Sequence, residues 1–129
     1  MSRKAADHRR KALMQNIEGE HSTEELIKAI EFFDGKCAYT GKPLEEHFHI
    51  DHVVPVSKGG TNYIWNIVPA NGSPNISKSD NDMEEWYRQQ SYFSEERLQR
   101  IYEWIDFQKS IKGEKYYESG NIEETTSGE

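Results

Sequence analysis

Four polar residues at long, definite separations are the part of the sequence best suited to chemistry. Asp51 and His52 are adjacent, Asn66 lies 14 residues after His52, and Asn75 lies nine after Asn66. Hydrolysis of a phosphodiester needs a nucleophilic water, stabilisation of charge on the phosphoryl oxygens, and help for the departing alkoxide. A neutral imidazole and one divalent ion can supply all three. The four residues therefore predict metal-assisted hydrolysis, with His52 as the general base.

The residue types also predict a role for each partner of His52. Asp51 and Asn75 would hold Mg²⁺ through one carboxylate and one amide oxygen, leaving about +1 of charge to face an anionic substrate. Asn66 would accept Nδ1–H of His52 through its amide or its backbone carbonyl, leaving Nε2 free to take a proton. Lys78, three residues after Asn75 on a predicted helix, would reach a phosphate oxygen.

Simpler interpretations stand beside these roles. Asp51 and Asn75 would also fit turns beside an exposed histidine, an interpretation ranked below the catalytic one. His49 shares a strand face with Asp51 and is able to touch the metal, but a partly exposed strand histidine is the favoured interpretation, as it is for His47. The single Cys37 is predicted to be a small buried residue, because the sequence offers it no activating partner.

Local patterns predict the elements that position these residues. Ser22 with Glu25 forms a capping-box pattern for a helix that ends at Asp34-Gly35. The later elements are predicted as strands Phe48–Val54 and Trp65–Val68, a helix from Ser73 or Pro74, a helix Met83–Gln90 capped by Asp80 or Asn81, and a helix after Ser94. This order predicts an α+β fold. Because neighbouring strand residues point to opposite faces, a twist or bulge is expected at Asp51 and His52, and Val54-Pro55 directly downstream favours such a break.

Composition limits the class of protein. The chain has 129 residues, a formal net charge of −7 and 34% hydrophobic residues, so one domain without a membrane span is expected. The polar first residues predict no signal peptide, and the lone cysteine favours a reducing, cytoplasmic compartment. Aromatic residues make up 12% of the chain, enough to anchor a small core.

Charge is unevenly distributed along the chain. Residues 1–14 hold five basic side chains against one acidic, whereas residues 113–129 hold five acidic against one basic. The predicted organisation is a basic arm at 1–21, a folded domain at 22–112 and an acidic, disordered tail at 113–129. The basic arm would bind phosphates through Arg9, Arg10 and Lys11, and an equally weighted alternative makes it the solvated face of a helix.

A known family shares these motifs. The run His49–Gly60, followed by Asn66–Val68 and Asn75–Lys78, resembles the HNH endonucleases, which have a ββα-metal (His-Me finger) core. Gly35–Lys42 resembles their first knuckle, and Ser22–Phe33 resembles a helix found in small phage-encoded members. The resemblance covers roughly residues 9–105. It implies Mg²⁺ or Mn²⁺ held by Asp51 and Asn75, His52 as base, Asn66 orienting it, and DNA cut to 5′-phosphate and 3′-hydroxyl ends.

One departure from the family pattern concerns zinc. Many members hold a structural zinc with two Cys-x-x-Cys pairs, but the corresponding positions here are Cys37, Thr40, Asn71 and Pro74. Three of the four sulfurs are missing, so no structural zinc is expected. In lacking these cysteine ligands, the chain resembles the zinc-free HNH domain of CRISPR effector nucleases. Packing of Tyr39, Trp65 and the C-terminal helices is expected to replace the zinc.

Two hypotheses follow. The first is a stand-alone HNH endonuclease of a bacterial or phage-infected cell, more active as the pH rises past about 6.5, the ordinary imidazole pKa, and dimeric if it cuts both strands. The second is a catalytically silent nucleic-acid-binding or assembly module on the same scaffold. Dependence of function on a metal separates them, because the silent module would bind DNA without one.

Overall fold

A computed structural model describes residues 17–118, with side chains described up to residue 112. The fold is α+β, as predicted. Its elements are α1 (Thr23–Phe32), β1 (His49–His52), β2 (Ile67–Ala70), α2 (Gly72–Lys78), α3 (Met83–Arg88) and α4 (Glu95–Glu118), with single 3₁₀ turns at Val56–Lys58 and Ile64–Asn66. The predicted phosphate contacts Arg9, Arg10 and Lys11 lie outside the described residues.

The first helix follows its local sequence signals. Ser22 accepts a hydrogen bond from the backbone of Glu25, and the Glu25 side chain accepts one from the backbone of Ser22, so the predicted capping box is formed. The helix ends where Asp34 and Gly35 adopt left-handed backbone angles, with φ of 59° and 68°. At each end of α1, the residues that determine the helix boundary therefore lie within three positions of one another in the sequence.

The two strands pair antiparallel and carry the predicted site residues at one end. Asp51 lies opposite Val68 and His52 lies opposite Ile67. The second strand begins later than predicted, at Ile67, because Ile64–Asn66 form a 3₁₀ turn. The first strand is shorter than predicted and ends at His52. Pairing is regular across Asp51 and His52, so the chain leaves the ladder directly after His52 instead of bulging within it.

The core lies between the sheet and the C-terminal helices. Trp86, Tyr87 and Trp104 are buried, as their helical spacing predicts, and the Trp104 indole donates a 2.9 Å hydrogen bond to the carbonyl of Ile67. The cap of α3 is Asp82, not the predicted Asp80 or Asn81. None of the helices in the described part of the chain is long and apolar enough to cross a bilayer.

Candidate active site

An open cavity of about 810 Å³ lies beside the end of β1 and the helix α2. Asp51, His52 and Asn75 all border it, although Asn75 is 23 residues beyond His52 in sequence. All four residues of β1 border the cavity, so the neighbours Asp51 and His52 both do. Three of the four predicted catalytic residues therefore border a common space, and Asn66 does not.

The carboxylate of Asp51 is buried and has two partners. The Tyr39 hydroxyl donates a 2.5 Å hydrogen bond to Oδ2, and Nζ of Lys78 lies 3.5 Å from Oδ1. Burial raises the pKa of the Asp51 carboxyl above its ordinary value, and Lys78 and Tyr39 offset part of that rise. Burial, followed by the neighbouring carboxylate, also raises the pKa of Tyr39 well above its usual value.

Lys78 is not where the sequence analysis predicted it. Its side chain is 1% exposed, and its ammonium donates a 2.9 Å hydrogen bond to the carbonyl of His52 besides facing Asp51. The helix α2 packs with this last residue against β1, so the ammonium is engaged within the protein, and a phosphate contact stays a prediction. The lysine fastens the helix to the strand end that carries the site.

The imidazole of His52 is held by a residue that the sequence analysis treated as an ordinary turn residue. Its Nε2 lies 3.0 Å from Oδ1 of Asn62. A carboxamide oxygen can only accept a hydrogen bond, so Nε2 carries the hydrogen and Nδ1 is the free acceptor. This is the reverse of the predicted assignment, in which Nδ1 was held and Nε2 was free.

Asn75 lies in the middle of α2, at the cavity, and pairs with a histidine of β1. Its Nδ2 is 3.3 Å from Nδ1 of His49. His49 is exposed, which confirms the favoured interpretation of a strand histidine. The contact turns the Asn75 amide nitrogen toward His49 and leaves its oxygen for another partner.

Two sequence comparisons relate this chain to known proteins. Residues 37–82 match the model of a family described as HNH endonuclease. Over these residues the chain is similar to HNH endonucleases. Over 92 residues it is also 38% identical to YoqL, a protein derived from the SPbeta prophage of Bacillus subtilis (strain 168) and named as an HNH endonuclease. The aligned part is 61% of this chain and 39% of that relative.

Asn66 fastens the loop between the strands. Its Oδ1 accepts from the Val54 amide at 2.8 Å, and its Nδ2 donates to the carbonyls of Val54, at 3.1 Å, and Thr61, at 2.8 Å. Its own carbonyl accepts from the Val53 amide at 2.9 Å. Both of the groups that were predicted to hold His52 thus bond to the loop that contains Asn62, and in the described part of the chain the imidazole bonds to Asn62 instead.

Hydrogen bonds around Asn71, directly after β2, hold the segment 37–45. Its side chain accepts from the amide of Glu45 at 2.8 Å and donates to the carbonyl of Pro43 at 3.1 Å, while its backbone amide lies 3.4 Å from the sulfur of Cys37. Cys37 is buried, as predicted, and so is Tyr39, whose carbonyl accepts a 2.6 Å bond from Tyr87. Asn71 thus joins two loops that are 26 residues apart in sequence.

The side chains at the cavity suit a hard divalent cation with few protein ligands. Among residues 17–118, no group of three or more His, Cys, Asp or Glu side chains is arranged to hold a metal ion. The cavity does, however, place one carboxylate, from Asp51, and one amide oxygen, from Asn75, on its walls. Oxygen donors of this kind, completed by water and substrate, fit the preference of Mg²⁺.

Proposed function

We propose that this chain is a metal-dependent endonuclease that hydrolyses DNA phosphodiester bonds, with β1, β2 and α2 as its ββα-metal core. The observation that supports it most is the shared cavity, which brings the carboxylate of Asp51, the imidazole of His52 and the amide of Asn75 together. The similarity of residues 37–82 to HNH endonucleases supports this reaction class, and the residue types are those that the chemistry requires.

The charge at the cavity supports a requirement for a cation. Among its described lining residues, two acidic side chains, Asp51 and Asp80, stand against one basic side chain, Lys78, so their formal charges sum to −1. A phosphate would be repelled by that charge. Asp51 and Asn75 would hold a divalent ion, whose two positive charges would reverse the sign and favour an anionic substrate.

Each side chain has a separate role in the proposed hydrolysis. When bound, the ion supplies positive charge for the phosphoryl oxygens and the leaving oxygen. Nδ1 of His52 takes the proton of the attacking water, whose oxygen bonds to phosphorus while the bond from phosphorus to the 3′ oxygen breaks. The 5′-phosphate keeps the new oxygen, and the 3′ oxygen takes a proton from solvent. Lys78 and Tyr39 hold Asp51 in place from behind.

The test is cleavage of supercoiled plasmid by the full chain with Mg²⁺ or Mn²⁺. His52→Ala should lower the rate by about 10²- to 10⁴-fold, the usual contribution of a general base. His47→Ala is the matched control, because that histidine side chain is 92% exposed and its rate should match the wild type. Full-rate cleavage by His52→Ala would refute the proposal. Metal-independent DNA binding without cleavage, unchanged in Asp51→Ala, would indicate the silent module instead.

The same proposal includes the contacts to DNA. Arg9, Arg10 and Lys11 would bind backbone phosphates, and replacing all three with alanine should reduce the slope of log K against log salt by about 2 to 3. One small site cuts one strand at a time, so double-strand cleavage would require a two-fold dimer. Sedimentation of the protein with and without duplex DNA measures this state.

A further inference from the structure

We infer that Asn62 is a positioning residue for His52 and determines which ring nitrogen takes the proton. The inference rests on the proposed role of His52 as general base. Oδ1 of Asn62 lies 3.0 Å from Nε2 of His52, and both residues border the cavity. Because this oxygen only accepts hydrogen bonds, the contact selects the tautomer with hydrogen on Nε2 and turns the ring so that Nδ1 is free.

Asn62 is itself fastened at its backbone by the segment 17–21. Its amide donates a 2.8 Å hydrogen bond to the carbonyl of Glu18, and its carbonyl accepts a 2.8 Å bond from Nδ1 of His21. Between these two contacts, Gly19 packs so closely on the ring of Tyr63 that an added Cβ would lie 2.7 Å from it. Asn62 therefore has a fixed backbone from which to hold the imidazole, although it belongs to a loop.

The contact should matter more in the transition state than in the ground state. As Nδ1 takes a proton, the ring becomes an imidazolium, and its Nε2–H bond to Asn62 becomes charge-assisted and stronger. An interaction that strengthens during the reaction raises kcat without tightening substrate binding. Loss of the Asn62 acceptor should therefore lower kcat about tenfold, the order expected for one hydrogen bond, and leave KM unchanged.

The test combines kinetics with the ¹⁵N resonances of the histidine rings. Full-length wild type, Asn62→Leu and Asn62→Asp are labelled with ¹⁵N-histidine and measured at alkaline pH, where imidazole is neutral. The wild type should show His52 protonated on Nε2. In Asn62→Leu its two nitrogen signals should move toward each other as tautomers exchange, and kcat should fall. Asn62→Asp keeps an acceptor, so it should restore both the signals and most of kcat.

Three results would overturn the inference. They are protonation of His52 on Nδ1 in the wild type, unchanged ring signals in Asn62→Leu even if kcat falls, and unchanged kcat despite altered signals. Asn81→Leu controls for an apolar replacement, because Asn81 is an exposed asparagine. If Asn62→Leu does not fold, the wild type and Asn62→Asp still decide the tautomer. If the wild type does not cleave DNA, the proposed function fails, and the ring signals alone decide whether Asn62 orients His52.

Discussion

Replacement of Asn66 tests whether this asparagine holds the loop between the strands. Asn66→Ala removes three hydrogen bonds of 2.8 to 3.1 Å and leaves the Val54 amide and two carbonyls without these partners. At about 1 kcal/mol net for each bond, with water reaching some of the freed groups, the free energy of unfolding should fall by about 2 to 3 kcal/mol. In a domain of this size that lowers the melting temperature by roughly 10 to 20 °C.

Urea and thermal unfolding of the full chain, followed by circular dichroism, measure this loss. Asn66→Asp should not recover it, because a carboxylate keeps the acceptor for Val54 but turns an oxygen toward the two carbonyls. Asn81→Ala, at an exposed asparagine, should stay within about 0.5 kcal/mol of the wild type. A loss below about 0.5 kcal/mol for Asn66→Ala would refute the assignment of Asn66 to the loop.

Three further changes test other contacts. Asn71→Ala should cost about 1 to 3 kcal/mol in urea unfolding, because it frees two loop backbone groups; an unchanged midpoint would contradict this. Gly60→Ala should lower the melting temperature, since its Cβ would lie 1.8 Å from the Val54 carbonyl oxygen, and a melting temperature equal to the wild type would count against it. The Tyr102 hydroxyl holds the pKa of Glu84 below its ordinary value, so this carboxylate stabilises the fold above the unfolded pKa and loses that effect as the pH falls. Glu84→Gln should therefore lose less stability than the wild type between neutral pH and about pH 3, and equal losses would disprove the linkage.

Features set by near neighbours in sequence were predictable. The capping box of α1 depends on Ser22 and Glu25, which are three residues apart, and the structure contains it. The aromatic core was predictable in the same way, because the spacing of Trp86 and Trp104 on their helices indicates a buried face. For these elements the sequence and the packing favour the same conformation.

The partners of the site residues were not predictable from spacing. Asn62 and Asn66 lie in one loop, and only the folded loop determines that Asn62 reaches His52 while Asn66 bonds to the backbone. The i, i+3 relation puts Lys78 near Asn75 on a helix surface, but the packing of α2 on β1 turns its ammonium inward to Asp51. Tertiary contacts decided both cases.

The buried pair of Lys78 and Asp51 separates the requirements of the fold from those of catalysis. Because the ammonium already balances the carboxylate inside the protein, the folded chain keeps an internal counter-charge whatever residue stands at the half-exposed positions His52 and Asn75. If the proposed function holds, a descendant that exchanged either of those two would lose cleavage and retain its shape. On that proposal, an enzyme could become a purely DNA-binding protein, in which Lys78 would have to be retained long after the imidazole was gone.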